Sequence, residues 1–281
     1  MILESEGPLT GMRVLVCGKG GSGKSSIVSL MVRDLADAGY KVLALDGDAS
    51  NPGGLAQTLF GSKKGPEPLI EFFGGRACVT SPVEDPSPLT RMGDSRSLTD
   101  YPIQLHETDP TYSVRAGNVT LCQVGKIQEA YEGCDGPLSK ITRDFVIGDP
   151  AVTIIDVEAG VEHFGRGIAI NVDEVIVVVD PSYESFSLAE RARDLCAQMD
   201  IFNVWAILNK VPSIDAEKRM VDAMNARGIT ILGIVHHDRM VEKTGMEGTA
   251  LIPCTAMKEV REITLHLETV ATQGHAAAVG A

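Results

Sequence analysis

The chain has 281 residues, 44% of them hydrophobic and 22% charged, a balance that supports a buried core and excludes a disordered or fibrous chain. Twenty-five basic residues against 38 acidic ones give a formal charge of −13, which repels phosphate backbones and anionic lipid, so neither nucleic acid nor membrane is an expected partner. The longest apolar stretches, such as 175–179, are strand-sized, far short of the roughly 20 residues of a membrane-spanning helix.

The opening residues 1–10 lack the basic start and apolar stretch of a secretory signal, so a cytoplasmic protein is expected. Six scattered cysteines (Cys17, Cys78, Cys122, Cys134, Cys196, Cys254) fit reduced thiols, with Cys17 and Cys196 in apolar strand and helix contexts. One domain over 1–281 is expected, since α/β folds often reach this size around one sheet.

Residues 12–17 form a short β-branched run that ends abruptly in glycines, as a buried strand does where it meets a phosphate-type turn. Ile27, Leu30, Met31, Leu35 and Ala38 then recur at helical spacing until Gly39 stops the pattern. A second strand over 41–45 must pair in parallel with the first, through a right-handed crossover. The stretch 61–117 is rich in Pro, Gly, Ser and charge, and reads as an irregular insertion able to meet a partner. Order resumes with a strand over 119–124, a glycine-rich turn and a helix over 138–146. Strands follow over 152–156, 174–180 and 204–208, with a helix over 183–199 between the last two. A strand over 229–234 and a helix over 255–272 close the series, and 274–281 reads as a frayed end.

Gly18-Lys19-Gly20-Gly21-Ser22-Gly23-Lys24-Ser25 fits the phosphate-loop consensus, between a strand and a helix as that motif requires. Its glycines let successive N–H groups face phosphates, the helix N-terminus adds partial positive charge, Lys24 reaches the β- and γ-phosphates, and Ser25 holds Mg²⁺. Gly20, Gly21, Ser22, Gly23, Lys24, Ser25 and Ser26 are therefore candidate nucleotide-binding residues. Lys19 adds a second cation able to stabilise charge in a transition state. The expected fold is α/β, a doubly wound, mostly parallel sheet with helices on both faces, of the P-loop NTPase type.

Asp46-Gly47-Asp48 follows the second strand, at the sheet edge where such folds bind ligands. Residues 152–156 form an apolar strand ending in Asp156, the form of a Walker B segment, which makes Asp156 a candidate Mg²⁺ residue with Gly160 set to sense the γ-phosphate. Asn209-Lys210-Val211-Pro212 matches the start of the guanine-reading Asn-Lys-x-Asp pattern, but Pro212 stands where the aspartate is required. ATP is thus favoured over GTP, with Asn209 expected to bond the adenine and Lys210 beside it. His236-His237 either line the nucleotide edge or face solvent.

With Asp156-Val157-Glu158-Ala159-Gly160-Val161-Glu162-His163 added, the chain resembles the MinD-like, deviant Walker A ATPases, a group that includes the nitrogenase iron protein. The pairing of Asp-Gly-Asp with Ala-Gly-x-Glu-His is similar to the CooC family, carbon monoxide dehydrogenase maturation ATPases that assist nickel insertion. The likeness covers nearly all of the chain except 61–117. It implies hydrolysis of ATP by a homodimer, with Lys19, Lys24 and Asp48 as catalytic residues. Lys19 would cross to the nucleotide of the other subunit, Asp48 would orient or deprotonate the attacking water, and Asp46 would support Mg²⁺ through its water shell.

The same resemblance implies a metal between subunits, held in that family by a Cys-x-Cys pair. Here the turn reads Gly133-Cys134-Asp135-Gly136-Pro137, so Cys134 matches the first cysteine and Gly136 replaces the second. Two Cys134 thiolates would leave a tetrahedral Ni²⁺ or Zn²⁺ two ligands short, with Asp135 or His163 to complete the set. The implied partner is a carbon monoxide dehydrogenase-like client. Two other roles stay open: an electron donor like the nitrogenase iron protein, whose second cysteine is His163 here, and a MinD- or ParA-type positioning ATPase. The acidic charge and the lack of a basic amphipathic C-terminal helix count against the latter.

Overall fold

A computed structural model describes residues 7–51, 53–91, 93–127, 129–131, 135–251 and 254–279, with side chains described as far as 273. The chain opens with β1 (Arg13–Gly18), α1 (Lys24–Asp37), β2 (Val42–Gly47), α2 (Gly54–Phe60) and the short α3 (Leu69–Phe72). β3 (Val114–Ala116), β4 (Val119–Gln123), α4 (Gly136–Asp144), β5 (Val152–Val157) and β6 (Glu174–Val179) form the middle. The end comprises α5 (Tyr183–Ala197), β7 (Val204–Val211), α6 (Ile214–Ala226), β8 (Thr230–His236), α7 (Arg239–Glu247) and α8 (Thr255–Val279).

Among the described residues the strands make an eight-stranded sheet in the order β3-β4-β2-β5-β1-β6-β7-β8. All neighbours are parallel except β3, which runs antiparallel along β4. Burial on both faces explains the near-continuous apolar strands. In β1, Val14 and Val16 face the core shared with α1, α2 and α8, while Leu15 and Cys17 face the core shared with α4, α5 and α6. Ile27, Leu30 and Leu35 of α1 are each 1% exposed, and burying such a side chain contributes about 1.5–3 kcal/mol. β1 lies between β5 and β6, so the strand order reverses there and the crevice above its C-terminal end is the natural ligand position.

The stretch 61–117, which carries α3 and β3, packs on the sheet rather than standing free. Leu69, Ile70, Phe73, Leu89, Leu98 and Ile103 belong to the core beneath α4. Polar bonds from α4 fix it further: Lys140 pairs with Asp85 at 2.8 Å, Arg143 donates to the Ser87 carbonyl at 3.0 Å, and Asp144 accepts from the Leu89 N–H at 2.8 Å. Each is a side chain of α4 meeting main chain or carboxylate of the insertion, so buried polar groups there find partners that the insertion itself supplies. At the other end of the chain, α8 continues through Gly274 to Val279 instead of fraying at 274.

Candidate nucleotide-binding and catalytic site

The loop between β1 and α1 takes backbone conformations that only glycine adopts freely. Gly18 has φ of 146°, and a Cβ there would come within 2.5 Å of the Val178 carbonyl. Gly23, at φ 97°, caps α1 where a side chain would strike the Asn209 amide. The chain therefore passes close to β6 and β7 at these two glycines. Lys24 and Ser25 open α1, and the Lys24 side-chain nitrogen lies 3.5 Å from the Lys19 carbonyl. Gly160 is joined to this loop directly, its N–H donating to the Gly18 carbonyl at 3.2 Å.

Lys19 turns back on its own chain. Its ammonium pairs with Asp180 at 3.0 Å and donates to the Ser182 hydroxyl at 2.9 Å. Burial opposes ionisation of Asp180, but bonds from Ser182, Lys19 and Ser185 together hold it below the usual carboxylate range. Nothing in the spacing of the sequence marks Asp180 as this partner. It lies beyond the end of β6, and only the β1–β6 pairing brings the two together.

Three buried aspartates gather at the ends of β2 and β5. Asp156 is 1% exposed, accepts a bond from Ser25, and leaves its Oδ1 buried without a hydrogen-bond partner. Burial, with Asp46 and Asp48 nearby, pushes its carboxyl up to about 7, against the opposing Ser25 bond and Lys24 charge. A buried carboxylate oxygen with no partner, beside a serine hydroxyl at a phosphate loop, fits a divalent cation such as Mg²⁺. Asp46 is engaged through both of its oxygens. Its Oδ1 meets Lys126 at 2.8 Å and the Asp48 N–H at 3.2 Å, and its Oδ2 accepts from the Leu55 N–H at 3.0 Å. This carboxylate holds the loop together, while the Ser25 hydroxyl and the unpartnered Oδ1 of Asp156 lie at the phosphate loop. Asp48 is 8% exposed, and its Oδ1 accepts from both the N–H and the hydroxyl of Ser50.

Beside the phosphate loop opens a cleft of about 460 Å³, lined in part by Gly23, Ser26, Asn209, Lys210, His237 and Glu242. The Asn209 amide donates to the Ser22 carbonyl at 2.7 Å, and Lys210, at φ 57°, donates to the Gly21 carbonyl at 2.7 Å. Both residues thus brace the loop. With its N–H₂ so engaged, the Asn209 oxygen can accept from the exocyclic amine of adenine, where guanine presents another acceptor. His236 and His237 both reach the rim of this cleft. His236 bridges Glu259 at 2.7 Å and Glu217 at 3.2 Å, which with the first of these bonds leading holds its imidazole above the ordinary value.

The family model for the CobQ/CobB/MinD/ParA nucleotide-binding domain matches residues 14–252. The chain belongs to that family. This P-loop ATPase is 32% identical to an uncharacterised ATP-binding protein of Methanocaldococcus jannaschii over 257 residues, 90% of this chain and 99% of that protein. It is 27% identical to the carbon monoxide dehydrogenase accessory protein CooC of Rhodospirillum rubrum over 246 residues, 84% of this chain and 88% of that protein. Among solved structures it is similar to the cell division ATPase MinD of Pyrococcus furiosus, with a TM-score of 0.65 at 17% identity, covering 92% of this chain and 99% of that one. That last likeness is one of fold.

Cys134 lies outside the described residues. The position of the second family cysteine, Gly136, is described: a Cβ there would approach Ser81 Cβ to 2.6 Å, so the insertion fills the space a second thiol would need. Asp135 pairs with Arg166 at 3.1 Å. Among the described residues no group of three or more His, Cys, Asp and Glu side chains could hold a metal ion, and no helix is long and apolar enough to cross a membrane. Glu158 is half-buried, and burial first, then Asp135, pushes its carboxyl up to about 7.

His163 is 4% exposed, its ring 4.4 Å from that of Phe164 and its Nε2 without a hydrogen-bond partner. Burial above all, with the Lys24 and Arg166 charges adding, lowers its pKa from 6.5 to about 3. The unfolded chain therefore binds more protons than the folded one between those values, so this contribution is full above the unfolded value and is lost as pH falls. From pH 7 to pH 5 the expected loss from His163 is about 2 kcal/mol, at 1.36 kcal/mol per unit. Asp156 and Glu158, with raised values, act in the opposite sense. The check is urea unfolding of the wild type and His163→Gln at both pH values, with the wild type losing about 2 kcal/mol more. Equal losses would show an imidazole that titrates normally.

Proposed function

We propose that this ATPase is a dimeric, nucleotide-driven switch that assists nickel insertion into a carbon monoxide dehydrogenase-like enzyme. The observation that carries this reading is its likeness to CooC over most of both chains, with Cys134 standing in sequence just before Asp135, the residue that ties α4 to Arg166. A movement that begins at Gly160 has a short bonded route to the cysteine turn, from the Gly18 contact through the segment ending at Arg166 to Asp135.

In this reading the N–H groups of Gly20 to Ser25 hold the phosphates, Lys24 meets the β- and γ-oxygens, and Ser26, Asn209 and Lys210 line the side where the base lies. Ser25 and Asp156 would hold Mg²⁺, which when bound draws charge from the β- and γ-phosphate oxygens. Asp48 orients the attacking water. Lys19 exchanges Asp180 and Ser182 for phosphate oxygens bound by the second copy, so closure of the dimer and completion of the site are one event. The cargo ion, Ni²⁺ with Zn²⁺ as a competing occupant, would sit between two Cys134 thiolates.

Asp48→Asn, which should bind ATP and hydrolyse it slowly, is the test. Immobilised with ATP it is expected to retain a carbon monoxide dehydrogenase at least about tenfold better than with ADP, within the usual range of coupling between sites. Equal retention with both nucleotides, or none, defeats the maturation reading. Dimer loaded with Ni²⁺ should also hold metal that Cys134→Ala loses.

A further inference from the structure

We propose that Lys126 is a positioning residue for ATP hydrolysis, holding the peptide of Asp48 and so setting where the Asp48 carboxylate meets the attacking water. The proposal rests on the role given to Asp48 above. Lys126 stands in the loop after β4, with its side chain 7% exposed. Its ammonium donates to Asp46 Oδ1 at 2.8 Å and to the Asp48 carbonyl at 2.5 Å. The two loops are also joined through main chain, the Val124 N–H to the Asp46 carbonyl at 2.8 Å and the Ile127 N–H to the Ala49 carbonyl at 3.1 Å.

Asp48 is consequently gripped at both ends of its own backbone. Asp46 Oδ1 takes its N–H at 3.2 Å and Lys126 takes its carbonyl. Charge balance alone accounts for the first contact of Lys126, the ion pair with buried Asp46, but not for the second. The contact to the Asp48 carbonyl fixes the tilt of a peptide whose side chain carries the proposed chemistry. Misplacing a reacting group by about 1 Å can cost about 10²-fold in rate.

Single-turnover hydrolysis of radiolabelled ATP, together with affinity for a fluorescent ATP analogue, tests this. Lys126→Met is expected to slow hydrolysis at least about tenfold while nucleotide affinity stays within about threefold, the signature of an interaction used in the transition state. Lys126→Met/Asp48→Asn should be no slower than Asp48→Asn alone, because residues acting as one unit are not additive. If the two losses multiply, or if affinity falls as much as rate, Lys126 is structural and the proposal is wrong. Should Lys126→Met fail to fold with Asp46 unpaired, the comparison moves to the Asp46→Asn background, where both charges are gone. There Lys126→Met must still slow hydrolysis about tenfold, and no further slowing overturns the proposal. Asp48→Asn hydrolysing at the wild-type rate would show instead that the role of Asp48 is what failed.

Discussion

Lys24→Ala is expected to lower kcat/KM for ATP by at least about 10³-fold, with loss of nucleotide affinity as well as rate, because one cationic group is removed from both ground state and transition state. Lys24 is 7% exposed at the head of α1, near the Lys19 carbonyl. A charge in so dry a position interacts with phosphate far more strongly than it would in water. Folding should survive, since no carboxylate is ion-paired with Lys24 among the described residues. The far-ultraviolet spectrum and melting temperature report that directly. A variant that binds ATP with wild-type affinity would remove Lys24 from the site.

Lys19→Ala should behave differently. If Lys19 acts across a dimer, hydrolysis falls by about 10³-fold, as when a cation supplied in trans is lost, while nucleotide affinity of the single subunit changes little. In the chain by itself the Lys19 ammonium is paired with Asp180 and Ser182 at 3.0 and 2.9 Å. The decisive measurement mixes two inactive variants, Lys19→Ala and Asp48→Asn. A mixed dimer has one site with Asp48 intact and Lys19 donated by its neighbour, and random pairing gives about a quarter of the sites that form. Recovery of activity on mixing supports donation in trans. If mixing restores nothing, and the wild-type rate per subunit is independent of concentration, Lys19 serves its own site only.

The sequence read well where one physical cause acts locally. The phosphate loop is visible because its glycines, lysine and serine lie within one turn, and the strands β1, β2, β5 and β6 are visible because burial on both faces makes them apolar throughout. Of the elements it missed, α2 and α3 are short, at seven and four residues, while α6, α7 and β3 share weak burial. Among the described residues of α6 only Met220 and Met224 are buried, of α7 only Thr244, and β3 is exposed along its length. With so few residues facing the core, the periodicity that identifies a helix or strand fades. α6 and α7 do begin at capping residues, Ser213 and Asp238, a signal that can be read locally.

Composition and spacing alone thus determined the fold class, the nucleotide loop, and the preference for adenine implied by Pro212. Tertiary structure decided the partnerships between segments far apart in the chain. It pairs Lys19 with Asp180 and sets Lys126 beneath Asp46 and Asp48. It also turns 61–117 into part of the core and puts Ser81 where a side chain on Gly136 would go. Each of these depends on which strands lie side by side, and the parallel crossovers that set that order carry no mark at either residue of the pair.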